Sequence, residues 1–359
     1  SGGGGDPEPV ETAALAAHGL LMGRLEALAA EGDPDASLGA DALRRLLEVS
    51  EGMAVDLGRL ARAAASERDR LWAILEEACG RLRHGTTARE LVSELGADHP
   101  PIEGLYEEAA SLVREVTAFT TAAGIMEDPG GQCRVGPAPP SLRWAMAMMA
   151  PNTPFEDPAP AWYWINPPDP SWSAQEREEW MSVFSRTTLP AITIHEVTPG
   201  HFAHAQALRG LRSDVRRCLA SNAFVEGWAH YVEELLWEEG FRSEDPRFAI
   251  GVAVEALVRS TRLQVSIGLH TGEMDVEEAA RRFETDALLK GPAARSEAER
   301  ATFDPTYGRY TWGKLEIMAL RDEAQARWGT RYSHRRFNEA LLGLGSPPLG
   351  LLDHVFGYE

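Results

Sequence analysis

Residues 194–201 read Ile194-His195-Glu196-Val197-Thr198-Pro199-Gly200-His201. The His-Glu pair is that of an H-E-x-x-H metal helix, but the second histidine follows after six residues instead of four. In a regular helix, positions i and i+4 lie about 40° apart and positions i and i+6 about 120° apart, so imidazoles so spaced do not easily share one ion. Pro199 removes a helix hydrogen bond, and Gly200 permits backbone angles that other residues avoid. Two readings follow. Either a local bulge swings His201 back beside His195, or Pro199-Gly200 simply ends a helix. A mid-helix proline costs roughly 3 kcal/mol, which favours a constrained site.

A third ligand is expected on a facing element. Phe224-Val225-Glu226-Gly227-Trp228-Ala229-His230-Tyr231-Val232-Glu233 supplies one in Glu226. Glu226, His230 and Glu233 stand at i, i+4 and i+7 and line one helix face. Glu233 is expected to orient a ligand histidine, because metal-bound imidazoles usually donate their other N–H to a carboxylate or carbonyl. His230 divides evenly between cleft and packing. His204, three residues after His201, is expected to be hydrogen-bonded and not a ligand. Trp228, Trp237 and Trp312 read as core.

Working outward, Thr187 or Thr188 is placed to cap the histidine helix, with Pro190 in its first turn. Later helices are predicted over Phe224–Gly240, Phe248–His270, Val276–Leu289 and Gly313–Trp328. Upstream, eleven of the 23 prolines fall between Pro129 and Pro170. There Trp162-Tyr163-Trp164-Ile165-Asn166, bounded by prolines, predicts a short edge strand that lines a cleft or anchors a loop. From Val10 to about Leu112, dense Ala, Leu, Glu and Arg predict three or four antiparallel helices. Turns at Gly32-Asp33-Pro34 and His99-Pro100-Pro101 would part them. The expected divisions are a flexible leader (1–9), an N-terminal helical region (10–128), a proline-rich cleft-lining segment (129–186) and a metal-binding helical region (187–359).

Composition narrows the function classes. With 44% hydrophobic and 25% charged residues over 359 positions, the chain has an ordinary globular balance and room for a cleft between two helical lobes. A net charge of −20 disfavours nucleic acid as a partner. No apolar run approaches the roughly 20 residues a bilayer span needs, and no signal peptide is visible, so a soluble, cytoplasmic protein is expected. Cys79, Cys133 and Cys218 are three widely spaced thiols with no C-x-x-C pair, which argues against a disulfide framework or a thiolate zinc knuckle.

The H-E-x-x-P-G-H segment and the F-V-E-G-W-A-x-Y-x-E segment together resemble the bacterial family called domain of unknown function 885, which is similar to the gluzincin metallopeptidases. The likeness continues through Trp162–Asn166, Arg259–His270, Asp304-Pro305-Thr306-Tyr307 and Tyr310-Thr311-Trp312-Gly313-Lys314. It implies an all-α, two-lobed helical fold with a cleft and at most a short edge strand or hairpin. It also implies His195, His201 and Glu226 as metal ligands and Glu196 as the catalytic base, with Tyr310 and His270 as polar groups of the cleft. Arg262 becomes a partner for a substrate carboxylate, beside Tyr163 and Asn166. Two positions depart from the family pattern, Ser266 for an aspartate and Asn338 for a histidine. The chain is also shorter than typical members, which suits a smaller substrate.

Zinc held by three protein ligands keeps a fourth position for water, and Glu196 stands ready to take its proton. The expected reaction is hydrolysis of an amide or peptide bond in a short peptide or small amino-acid-derived substrate. Two-His-one-carboxylate sites also suit iron oxygenases, so Fe2+ is the alternative metal. Glu196 weighs against that chemistry, which needs no carboxylate there. A biosynthetic amide hydrolase or acyl-transfer enzyme is a further alternative. A metal-free binding module is disfavoured by the intact ligand set.

Overall fold

Ala, Leu, Glu and Arg lose little side-chain freedom in a helix, and the stretches rich in them are helical here. The computed structural model describes residues 7–32, 35–143 and 145–357. The chain divides into two units, Ser1–Ser37 and Leu38–Glu359. The first contains α1 (Pro7–Glu31). Of the leader expected over 1–9, residues 1–6 lie outside the described residues and 7–9 open α1. Of the turn expected at Gly32-Asp33-Pro34, Asp33 and Pro34 lie outside them as well.

The second unit opens with α2 (Ala40–Glu51), α3 (Leu57–Leu82), α4 (Ala88–Gly96) and α5 (Ile102–Ala122). Five helices thus stand where three or four were expected. A capping box, with Thr87 and Glu90 each accepting from the other's backbone N–H, starts the short α4. The loop holding His99-Pro100-Pro101 parts α4 from α5, as expected.

The proline-rich stretch carries three short strands, β1 (Cys133–Pro137), β2 (Ala147–Ala150) and β3 (Ala161–Ile165). The aromatic run is a strand, but it lies at the centre of the sheet and not at its edge. β1 pairs with it in parallel and β2 antiparallel. Alternation explains the packing. Ala161, Tyr163 and Ile165 are buried against Leu189, Ile192 and Val197, while Trp162 and Trp164 stack on the opposite face at 4.2 Å.

Beyond the sheet come α6 (Ala174–Ser182), α7 (Leu189–Glu196), α8 (His201–Gly210), α9 (Asp214–Cys218) and α10 (Asn222–Glu238). They are followed by α11 (Pro246–His270), α12 (Val276–Asp286), α13 (Gly291–Phe303), α14 (Arg309–Trp328) and α15 (His334–Leu342). The four helices predicted in this part correspond to α10, α11, α12 and α14. Among the described residues, no helix is long and apolar enough to cross a membrane.

Helices α10 and α14 cross through glycine. A Cβ added to Gly227 would lie 2.5 Å from the Cα of Gly313, and one added to Gly313 would lie 1.9 Å from the Ala223 carbonyl oxygen. Only two glycines allow the backbones this close. Just past the crossing, the fully buried Lys314 ammonium donates to Glu67 of α3 at 2.9 Å and to Glu234 of α10. Arg70 binds both carboxylates at 2.6–2.8 Å. Burial alone would raise the carboxyl pKa values, but Lys314 and Arg70 outweigh it, holding Glu67 at about 2 and Glu234 below its usual range.

Candidate metal centre

The zinc-type motif is not one bulged helix. α7 ends at Glu196, and α8 starts at His201, so the intervening Val197-Thr198-Pro199-Gly200 turns the chain between two separate helices. The Thr198-Pro199 bond is cis. Gly200 is required by space, since a Cβ there would fall 1.9 Å from the His195 carbonyl oxygen. Trp228, fully buried on α10, donates its indole N–H to the Pro199 carbonyl at 2.9 Å and so holds the turn. Thr188 occupies the cap position of α7, yet its hydroxyl donates to the Val183 carbonyl and does not cap the helix.

The turn restores what the spacing had taken away. The His195 and His201 rings meet edge to face, with centroids 4.6 Å apart. Glu226 Oε2 lies 3.4 Å from His195 Nε2 and 3.4 Å from His201 Nε2. One donor atom from each of the three residues falls within 4.8 Å of the others. A tetrahedral zinc with ligand bonds of about 2.0–2.1 Å has ligand–ligand edges of about 3.3 Å, so the donor set and its spacing fit that ion.

Electrostatics agree with a cation here. Burial and the Arg259 charge push the His195 ring towards neutrality, but Glu226 and Glu233 outweigh both and raise it to about 9. That proton is what a bound cation would displace. Burial would raise Glu226, and the two imidazoles instead hold it well below the usual carboxylate range. Its Oε2 is buried with no hydrogen bond among the described residues.

Support for His195 comes from behind. Glu233, fully buried two turns further along the same face of α10 as Glu226, accepts from His195 Nδ1 at 2.6 Å and is bound by Arg259 of α11 at 3.0 Å. This fixes Nε2 as the donor facing Glu226 and His201. A Glu233→Gln exchange weakens the acceptor and is expected to lower zinc affinity about 10- to 100-fold with the fold intact. Competition against a chromophoric chelator measures this, and an unchanged affinity would remove the role assigned to Glu233.

Glu196 is 7% exposed, and its Oε2 meets no hydrogen-bond partner among the described residues. Tyr310, at the start of α14, stacks towards His195 with centroids 6.4 Å apart. Burial and the Glu226 charge push its phenol pKa up, so it is a proton-bearing donor. Tyr163 is fully buried on β3, and its hydroxyl is held protonated by burial and by the charge of Glu196.

Other expected site residues sit elsewhere or are already engaged. His270 closes α11, eleven residues or about 16 Å along the helix from Arg259. Its Nε2 pairs with the Ala301 carbonyl at 3.0 Å and its Nδ1 accepts from the Leu38 N–H. It ties the end of α11 to α13 and to the Leu38 backbone, and it is not one of the three residues whose donor atoms converge. Arg262 is clamped in a two-pronged pair with Glu297 at 2.7 Å and lies over the Tyr310 ring at 5.1 Å. Its fork is spent on the protein, which leaves it supporting Tyr310. Asn166 donates to the Arg143 carbonyl at 3.1 Å and pins the strand end.

His204 turns away to the Gly345 carbonyl and Ser346, and burial pushes it down to about 4. His230 is buried 3.8 Å from Glu233 and is likewise lowered to about 4, by burial and then by Lys314. The two departures from the family pattern fill packing positions. Ser266 donates to the Pro305 carbonyl at 2.5 Å, and Asn338 donates to the Ile125 carbonyl at 2.9 Å. Sequence reading missed Glu255, which pairs with Arg259 at 3.4 Å, although Glu255, Arg259 and Arg262 recur at helical spacing on one face of α11.

The family described as bacterial protein of unknown function (DUF885) matches residues 8–355, and the chain belongs to it. The chain is similar in fold to two solved structures, each described as a lipoprotein. One, of unknown function and from Shewanella oneidensis, superposes with a TM-score of 0.83 at 20% identity, covering 99% of this chain and 68% of that one. The other, from Colwellia psychrerythraea, gives 0.80 at 23% identity, covering 93% of this chain and 58% of that one. The chain therefore spans only part of these relatives. No curated protein matches it.

Proposed function

We propose that this DUF885 member is a zinc-dependent hydrolase that cleaves an amide or peptide bond in a short peptide or small amino-acid derivative. One observation carries the reading: three donor atoms of His195, His201 and Glu226 converge within 4.8 Å, and Glu196, which follows His195 in the chain, is a buried carboxylate with an oxygen unpartnered among the described residues. His195, His201 and Glu226 would hold the ion, which when bound supplies Lewis acidity to water and to a substrate carbonyl at neutral pH.

The chain's own groups do the rest. Glu196 accepts the proton of the attacking water, and the same carboxyl then returns it to the leaving amine. The Tyr310 phenol, held protonated, donates a hydrogen bond to the carbonyl oxygen as charge develops there. Glu233, anchored by Arg259, keeps the His195 ring in one orientation throughout. Tyr163 of β3 shares a buried cluster with Leu189 and Ile192 of α7, and the Glu196 charge acts on its phenol.

The test is metal content. Purified protein is expected to hold about one zinc per chain, and Glu226→Ala protein to lose it, both read by elemental analysis. Iron with an oxygen-dependent activity, or no metal uptake from added zinc, overturns the proposal.

A further inference from the structure

Helices α10 and α14 start at the same end of their crossing, with Gly227 against Gly313 and, further along both, Glu238 bound by Arg321. At that end the two helices are open. Asn222 is exposed and Glu226 half-buried on α10, and Arg309 and Tyr310 are half-buried on α14, whereas residues 227–236 and 311–314 are buried. Asn222 and Glu226 stand one turn apart on one face of α10. The Tyr310 ring lies 5.7 Å from the Arg309 guanidinium. The open strip therefore runs from two residues of the centre, Glu226 and Tyr310, to Asn222 and Arg309.

A cavity of about 300 Å³ lies at the far end of this strip. Asn222 and Ala223 of α10, Arg309 and Trp312 of α14, and Leu47 and Ser50 of α2 line it. A cavity of about 150 Å³ holds benzene, so this one has room for a leucine-sized or aromatic side chain. Its charged groups are already paired. Glu51, also in the wall, accepts from the Ser221 hydroxyl at 2.7 Å and from the Leu349 N–H at 3.0 Å. Asp304 takes both terminal nitrogens of Arg309, at 2.8 and 3.0 Å. A charged side chain would find no unpaired counter-ion among the described lining residues, while Leu47, Ala223 and Trp312 offer it apolar surface.

Resting on the zinc-hydrolase reading, we infer that this cavity is the specificity pocket of the centre, and that it seats an uncharged, leucine-sized or aromatic side chain of the residue beside the cleaved bond. Burying a leucine side chain is worth about ten- to hundredfold in affinity, which sets the scale of the preference over glycine.

The experiment uses the full zinc-loaded chain and the N-acetyl hydroxamates of glycine, leucine, lysine and glutamate, titrated by calorimetry beside a zinc assay. The leucine probe is expected to bind at least about tenfold tighter than the glycine probe, and the two charged probes no tighter than glycine. Ala220→Trp and Ser50→Trp change two exposed positions in the cavity wall and fill it with an indole. Each is expected to bring the leucine-to-glycine ratio to about one, with zinc content and melting temperature as in wild type. Equal binding of leucine and glycine by the wild-type chain overturns the pocket alone. So does a ratio that survives both substitutions, or a charged probe that binds tightest. Failure of zinc or of all four probes to bind overturns the metal reading and the pocket with it.

Discussion

Exchange of Glu196 for Gln is expected to lower turnover about 10²- to 10⁴-fold while leaving zinc content and ligand affinity near wild type. The amide keeps the size and shape of the side chain but cannot accept a proton from water. Glu196 is not among the three residues whose donor atoms converge, so the ion's ligands remain in place. Its Oε2 has no hydrogen bond to lose among the described residues, so folding cost is small. Steady-state kinetics with a confirmed substrate, paired with elemental analysis, separate the effects. Near-normal turnover in the Gln variant would sink the mechanism, and lost zinc would recast Glu196 as a ligand.

The largest stability effect is expected at Lys314. Lys314→Met removes the buried cation that Glu67 and Glu234 share, leaving two buried carboxylates to Arg70. Breaking one partner from a buried ion network costs about 3–5 kcal/mol. The pH dependence follows from the signs. Glu67, depressed to about 2, contributes stability that is fully present above its unfolded value near pH 4.3 and is lost as pH falls towards 2. Lys314, raised above its ordinary value, contributes below about pH 10.4 and loses that contribution as pH climbs through its folded value. Between those limits the cluster acts in full. Urea unfolding at pH 7 should therefore show the whole loss in Lys314→Met. The gap to wild type should narrow in acid, where the stranded carboxyls of the variant protonate first. A variant as stable as wild type at pH 7 would show that the network is energetically neutral.

Much of the centre was legible because its chemistry is local or periodic. His195, Glu196 and His201 sit within seven residues, and Glu226 and Glu233 share one face of a strongly patterned helix. The long apolar periods of α10, α11 and α14 predicted those helices for the same reason. What failed was partner choice. Nothing near Arg262 in the chain announces Glu297, 35 residues on, as its counter-ion. His270 belongs to a family stretch, yet it closes α11 and is taken up by the Ala301 carbonyl and the Leu38 N–H, partners that its neighbours in the chain do not announce. The break at Pro199-Gly200 was foreseen as one of two readings, but that a break could still bring the rings together depended on Trp228 reaching the Pro199 carbonyl. The central place of β3 required knowing that Cys133–Pro137 and Ala147–Ala150, neither of them strand-like in pattern, would flank it.

The glycine crossing of α10 and α14 bears on how the proposed enzyme can vary. Glu226 precedes Gly227 by one residue, and Tyr310 precedes Gly313 by three, so the gap between them is set by two backbones in contact. No rotamer change can widen or narrow the spacing of those two backbones. That pair is held as a fixed spacer, while β1, β2 and β3 are joined by proline-rich loops, and such loops tolerate exchange. Libraries that diversify the sheet and its loops should yield altered substrate preference with the metal retained, whereas any side chain introduced at Gly227 or Gly313 should abolish every activity at once.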